Sequence, residues 1–223
     1  MTGVILAGGT SERMGLEKAS LLYGGETLLS RSVRKMRSVA PRTVVVSRSE
    51  VVKRLSNDIE VIEDLRPGRG PVAAILTALL VTQDDCAVIA CDMPFFSTGL
   101  LLYMRDQLEN NDAVVPHYGG LWEPLCAVYG WRGVDKIERW LEQERTCPGT
   151  RRRPIVSLLA TLRLCEVDRD QLVRFGEPDH LFFNVNSPED YARMLLEGSK
   201  EVQVGRRKCR PDAELNHVTH FDL

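Results

Sequence analysis

Val4-Ile5-Leu6-Ala7-Gly8-Gly9 decides how this chain folds. It lies within the run Met1-Thr-Gly-Val-Ile-Leu-Ala-Gly-Gly-Thr-Ser-Glu-Arg-Met-Gly-Leu-Glu-Lys18. The four apolar residues read as a buried strand. The strand stops at Gly8-Gly9, where the backbone gains positive-φ freedom and loses its side chains. Beyond the glycines come a hydroxyl (Ser11), a guanidinium (Arg13), another glycine (Gly15) and an ammonium (Lys18). Strand, glycine loop and spaced cations suit a polyphosphate: close-packed N–H groups receive its oxygens and the cations neutralise them. The spacing is neither that of a Walker A loop nor that of the dinucleotide fingerprint G-x-G-x-x-G. A tight turn with surface charges would account for the glycine pair alone, but not for the full set.

Further apolar runs extend the pattern along the chain. Thr43–Ser47, Ile59–Glu63, Cys86–Cys91 and Asp112–Pro116 read as strands rich in β-branched residues. Between them fall a helix capped by Thr27, a polar helix over Glu50–Leu55, an apolar helix over Val72–Val81, and a helix from Ser97 to Leu108. Ala19–Tyr23 reads as a short extended piece turned by Gly24-Gly25. Strands alternating with helices predict a single-domain, Rossmann-like, three-layer α/β/α fold, with a mainly parallel sheet and helices on both faces. Ligands of such sheets sit at the carboxyl ends of the strands. Gly8-Gly9, Asp64 and Asp92 each follow a predicted strand, so they should line one rim.

The pattern loosens after Pro116. Leu125–Tyr129 reads as a strand, Val134–Glu144 as a helix, Ile155–Leu162 as a short helix and Arg163–Val167 as a strand. Arg151–Arg153 falls in a loop, where a charge run is usually a solvated surface. Phe182–Asn186 reads as extended, which would put Asn184 and Asn186 on one face. Ser187-Pro188-Glu189-Asp190 then opens a helix. From Ser199 the chain is polar and aperiodic, which predicts a flexible tail over 199–223. His217 and His220 within it have helical ligand spacing but neither a helical pattern nor a third ligand.

Composition narrows the class. The 223 residues are 43% hydrophobic and carry a net charge of −2, so no global basic field points to nucleic acid. Mean hydropathy is −0.16, and no apolar run approaches a membrane span. The first residues lack the basic leader and the long apolar stretch of a signal peptide. Six cysteines without a Cys-x-x-Cys pair fit a reducing cytosol better than a disulfide framework or a zinc site. The expected location is the cytoplasm.

The set Leu6-Ala-Gly-Gly-x-Ser-x-Arg-Met-Gly-x-x-Lys18 resembles the nucleotidyltransferase signature, and more closely that of the molybdenum cofactor guanylyltransferases. The likeness spans Thr2 to Leu196 and implies a nucleotidyltransferase domain over 1–198. It implies that the base and ribose of GTP lie near Leu6, Ala7, Gly8 and Gly9, and that Lys18 contacts phosphate. Cytidylyl relatives tend to carry alanine at the position of Gly8; glycine admits a larger base. Asp92, in Cys91-Asp92-Met93-Pro94, matches the acid that binds Mg²⁺ in the family. Asp64, before Gly70-Pro71-Val72-Ala73, matches an aspartate of the nucleotide site. Strand alternation allows only one of Glu63 and Asp64 to point inward. Asn184-Val-Asn186-Ser-Pro-Glu matches the family's Asn-x-Asn and implies substrate contact by both asparagines. Trp122-Glu123-Pro124-Leu125 resembles a segment on the acceptor side that more often carries glutamine for Glu123. Ser47 departs from the asparagine often found there, and the tail after Ser199 has no counterpart.

The resemblance thus implies Mg²⁺-dependent transfer of GMP from GTP to the terminal phosphate of molybdopterin, with Arg13, Lys18 and Asp92 catalytic. Transient contact with molybdenum-cofactor insertion or acceptor proteins would follow. Two other readings stay open: transfer of cytidylate, or of a nucleotide to a sugar phosphate, and a non-catalytic GTP-binding adaptor that delivers cofactor.

Overall fold

The computed structural model describes residues 1–8, 17–55, 58–145 and 154–197. Gly9 and Arg13 lie outside the described residues, as do Ser11, Gly15, Arg151–Arg153 and the predicted tail over 199–223.

In the first half, strands β1 (Thr2–Leu6), β2 (Leu22–Tyr23) and β3 (Glu26–Thr27) precede helix α1 (Leu28–Arg37). Then come β4 (Thr43–Val46), α2 (Glu50–Leu55), β5 (Glu60–Ile62), α3 (Pro71–Thr82) and β6 (Cys86–Ala90). The second half holds α4 (Thr98–Asp106), β7 (Ala113–Tyr118), β8 (Leu121–Trp122), β9 (Cys126–Tyr129) and α5 (Val134–Arg145). It ends with α6 (Val156–Leu159), β10 (Leu164–Val167), α7 (Arg169–Leu172), α8 (Pro178–Leu181) and a helix over 188–197, here α9. No described helix is long and apolar enough to cross a membrane.

The main sheet runs β10-β7-β9-β6-β1-β4-β5, with β8 paired to β7. β1 is parallel to both β4 and β6, β4 to β5, and β7 to β10. β9 is antiparallel to its neighbours β6 and β7, and β8 is antiparallel to β7. Side chains alternate across the sheet and feed two cores. Ile5, Val45, Ile89, Val114 and Val128 meet buried residues of α1, α2, α4, α7 and α9 on one face. Val4, Val44, Val88, Val115 and Tyr129 meet α3, α5 and α6 on the other. This is the three-layer α/β/α arrangement that the alternation of elements predicts, and the near-continuous apolar strands are those of a sheet covered on both sides.

Local chemistry sets the element ends. Thr27 caps α1 through its hydroxyl, which accepts from Ser30 N at 3.1 Å, and Ser97 caps α4 in the same way at 3.3 Å. Ser187 and Asp190 form reciprocal caps at the start of α9. Gly24 and Gly25, both at positive φ, turn the β2–β3 hairpin. Three expectations need correction. Residues 18–20 form a 3₁₀ turn before β2 rather than extended chain. The helix expected over Ile155–Leu162 is one turn, Val156–Leu159, because the chain must reach β10 at Leu164. Residues 183–186 form no strand; Phe182 follows α8, and Val185 N donates to Asp92 O at 3.0 Å.

Candidate active site

The site begins where β1 ends. Its ladder runs on past the strand, with Ala7 N donating to Val46 O and Cys91 N to Leu6 O, each at 3.0 Å. Ser47 N does the same to Ile62 O. The carboxyl ends of β1, β4, β5 and β6 are therefore level, and the residues just beyond them share one rim. The chain leaves β1 toward β4 and β5, then crosses back over β1 to β6. The strand order thus reverses between β1 and β6, which is where open α/β sheets leave a crevice for ligands.

A cleft of about 1190 Å³ lies along this rim. Leu6, Ala7 and Gly8 line it from β1, Asp64 from the end of β5, and Cys91-Asp92 from the end of β6. The N-terminus of α3 lines it too, where Gly70 takes φ 78° and Pro71 occupies the first turn. Lys18 reaches in from its 3₁₀ turn. Its Nζ lies 2.7 Å from Asp92 Oδ2 and 2.5 Å from Asn186 Oδ1. The Lys18 and Asp92 side chains are 18% and 19% exposed.

Asp64 and Glu63 part, although β5 ends at Ile62 and neither lies within the strand. Glu63 is exposed and pairs with Lys53, whose ammonium lowers its pKa. Asp64 Oδ1 accepts from Arg66 N at 2.9 Å and from Thr77 Oγ1 at 3.1 Å. Helix α3 thereby anchors the carboxylate, and no described donor engages Oδ2. Asn186 joins Lys18, whereas Asn184 does not line the cleft. Its amide nitrogen donates to Phe182 O at 2.9 Å, because the segment is not the strand that would have put both asparagines on one face. Cys91 is buried at the rim. Burial and the neighbouring Asp92 charge push its thiol pKa well up, so it is no nucleophile.

Two further residues lie on the rim: Ser47, which the sequence marks only as a departure from the family's asparagine, and Arg48, to which it assigns no role. Ser47 is buried and its hydroxyl donates to Ala7 O at 2.5 Å, while Ser49 N donates to Ser47 Oγ at 3.1 Å. The serine stitches β4 to the β1 loop and occupies the Ala7 carbonyl. Arg48 is exposed beside it and lines the cleft. Ser47, like Asp64 and Asp92, lies just beyond the carboxyl end of its observed strand, whereas the sequence predicts a strand that includes it.

Two hard oxygen donors, Asp92 Oδ2 and Asn186 Oδ1, converge on one cationic point. That donor set fits Mg²⁺, which takes oxygen ligands. Among the described residues no group of three or more His, Cys, Asp and Glu side chains could hold a metal. Phosphate oxygens and water would have to complete its shell.

A model of the MobA-like NTP transferase domain matches residues 3–162. The chain belongs to this family. A relative from Pelotomaculum thermopropionicum, named "Probable molybdenum cofactor guanylyltransferase", is 35% identical over 206 residues, covering 91% of this chain and 97% of the relative. One of the same name from Carboxydothermus hydrogenoformans is 30% identical over 196 residues, covering 87% and 95%. The crystal structure of molybdopterin-guanine dinucleotide biosynthesis protein A from Archaeoglobus fulgidus superposes with a TM-score of 0.76 at 31% identity, covering 90% of this chain and all of that one. The family match takes in the whole rim except the segment of Asn186, and the relatives extend the likeness beyond it.

Proposed function

We propose that this MobA-like transferase moves GMP from GTP to the terminal phosphate of molybdopterin, with Mg²⁺ as cofactor. The convergence of Gly8, Lys18, Asp64, Asp92 and Asn186 on one cleft carries this reading. The molybdenum cofactor relatives supply the acceptor.

A phosphate oxygen of the acceptor attacks the α-phosphorus of GTP. The bond from that phosphorus to the oxygen bridging to the β-phosphate breaks, and pyrophosphate leaves with its electron pair. The nucleophile is already anionic, so no general base is required. Positioning and charge neutralisation then supply the rate. Lys18 neutralises phosphate oxygens, as does Arg13 in this reading. Gly8 lets the base approach the backbone, and Asp64 Oδ2, which no described donor engages, offers an acceptor to a nucleoside hydroxyl or N–H. Asp92 and Asn186 would hold Mg²⁺, which as a Lewis acid offsets charge developing on the phosphate oxygens.

The test is pyrophosphate release from each of the four nucleoside triphosphates, with and without molybdopterin. Release from GTP alone among them, dependent on both molybdopterin and Mg²⁺, is the expected result. Asp92→Ala should remove it in a protein that stays folded. GTP binding without pyrophosphate release would favour an adaptor instead.

A further inference from the structure

The Lys18 ammonium stands at the point on which the Asp92 and Asn186 oxygens converge, 2.7 and 2.5 Å away. The three residues are far apart in sequence, Asp92 lying 74 and Asn186 168 positions from Lys18. A divalent ion using both oxygens would need bonds of about 2.0–2.1 Å. It cannot share that point with an ammonium. The two side chains are mostly enclosed, so solvent ions screen the contact weakly.

We propose that Lys18 is a built-in competitor for the metal position. In the nucleotide-free protein its ammonium occupies the Asp92–Asn186 oxygen pair, and nucleotide phosphate must draw it off before a divalent cation takes those oxygens. This rests on Asp92 being the metal ligand. The flexible four-carbon stem lets Lys18 exchange one anionic partner for another while its charge stays compensated. Asp92 is likewise never left as a partly buried, unpaired carboxylate: Lys18 covers it before substrate arrives and the metal covers it afterwards. Because the exchange couples two binding events, metal and nucleotide each strengthen the other's binding by the same factor. A protein so arranged holds little divalent metal until its nucleotide is present.

The test uses Mn²⁺ as probe, read by the loss of its free-ion paramagnetic resonance signal, on the full chain without nucleotide. Lys18→Met should bind Mn²⁺ about tenfold more tightly than wild type, within the range of ordinary coupling factors. Lys18→Gln serves as a second variant, and thermal melts check that each is folded. Arg48→Met removes one positive charge from the same cleft and measures the general electrostatic effect, which the Lys18 variants must exceed. Adding Asp92→Asn to Lys18→Met should abolish the gain. Equal affinity in wild type and both Lys18 variants, or a gain no larger than that of Arg48→Met, overturns the competition. A separate titration with GTP present tests the underlying reading. If Asp92→Asn then binds Mn²⁺ as wild type does, Asp92 is not the ligand. If it loses the metal while the Lys18 variants show no gain, only the competition fails.

Discussion

A methyl group built on Gly8 would meet no heavy atom of the described residues within 4 Å, whereas one on Gly3 would run into Met36 Cγ at 2.4 Å. The two glycines therefore serve different ends. Gly3 makes room for helix α1 against the sheet. Gly8 leaves room for a ligand, since no described residue fills the space. Gly8→Ala should melt as wild type does and lose about tenfold in kcat/KM for GTP relative to CTP, the scale on which one methyl group discriminates. Glu123 gives a second prediction at this scale. Burial raises its carboxyl from the ordinary 4.5 to about 7, and it has no side-chain partner among the described residues. The folded protein therefore holds this proton more tightly than the unfolded chain. Stability should fall as pH rises from about 4.5 to about 7 and then level off. Glu123→Gln should flatten that part of the melting-temperature profile, read by calorimetry from pH 4.5 to 8. The positions of Lys18, Asp64 and Asp92 were legible because each lies at or just past a strand or glycine loop. The expectation that Asn184 and Asn186 share a face does not hold because residues 183–186 form no strand; the bond from the Asn184 amide to Phe182 O sets that side chain's direction.

Helix and strand assignments were legible wherever a cap or an apolar run was unambiguous, as at Thr27, Ser97 and Ser187. They were weakest for the short pieces around residues 18–20, 155–162 and 182–186. There, tertiary connections rather than intrinsic preference set the length. Helix α3 shows what a boundary can do for function. Gly70, at φ 78° and ψ −170°, lies in backbone territory open almost solely to glycine, and Pro71 starts the helix immediately after it. The turn aims the N-terminus of α3 into the cleft and sets Thr77 against Asp64. Gly70→Ala should cost about 1–3 kcal/mol in urea unfolding, through that strained backbone. It should also weaken nucleotide binding beyond what the loss of stability explains, as measured by calorimetric titration at a temperature where the variant is fully folded.

At the scale of the whole molecule, strand order was the least legible feature. Alternating strands and helices announce a parallel sheet, but nothing in Cys126–Tyr129 says that β9 runs backwards between β6 and β7. That placement follows from the β7–β8 turn, where Gly119 and Gly120 at positive φ reverse the chain. Cys86, Cys91 and Cys126 are buried around these central strands, and burial pushes Cys86 and Cys126 up to about 12. A thiol-reactive dye at pH 8 should therefore leave these three unlabelled in the native protein and label them on denaturation, with mass spectrometry assigning the sites. The Lys18–Asn186 contact has a consequence of another kind. The two partners lie 168 positions apart, and the later one is carried in by a segment whose Val185 N–H is docked on Asp92 O. In the proposed reading, the Lys18–Asn186 contact of the site therefore forms only when synthesis has passed Asn186. A stalled or prematurely ended chain, however well its first strands have paired, holds no complete apparatus with which to consume nucleotide.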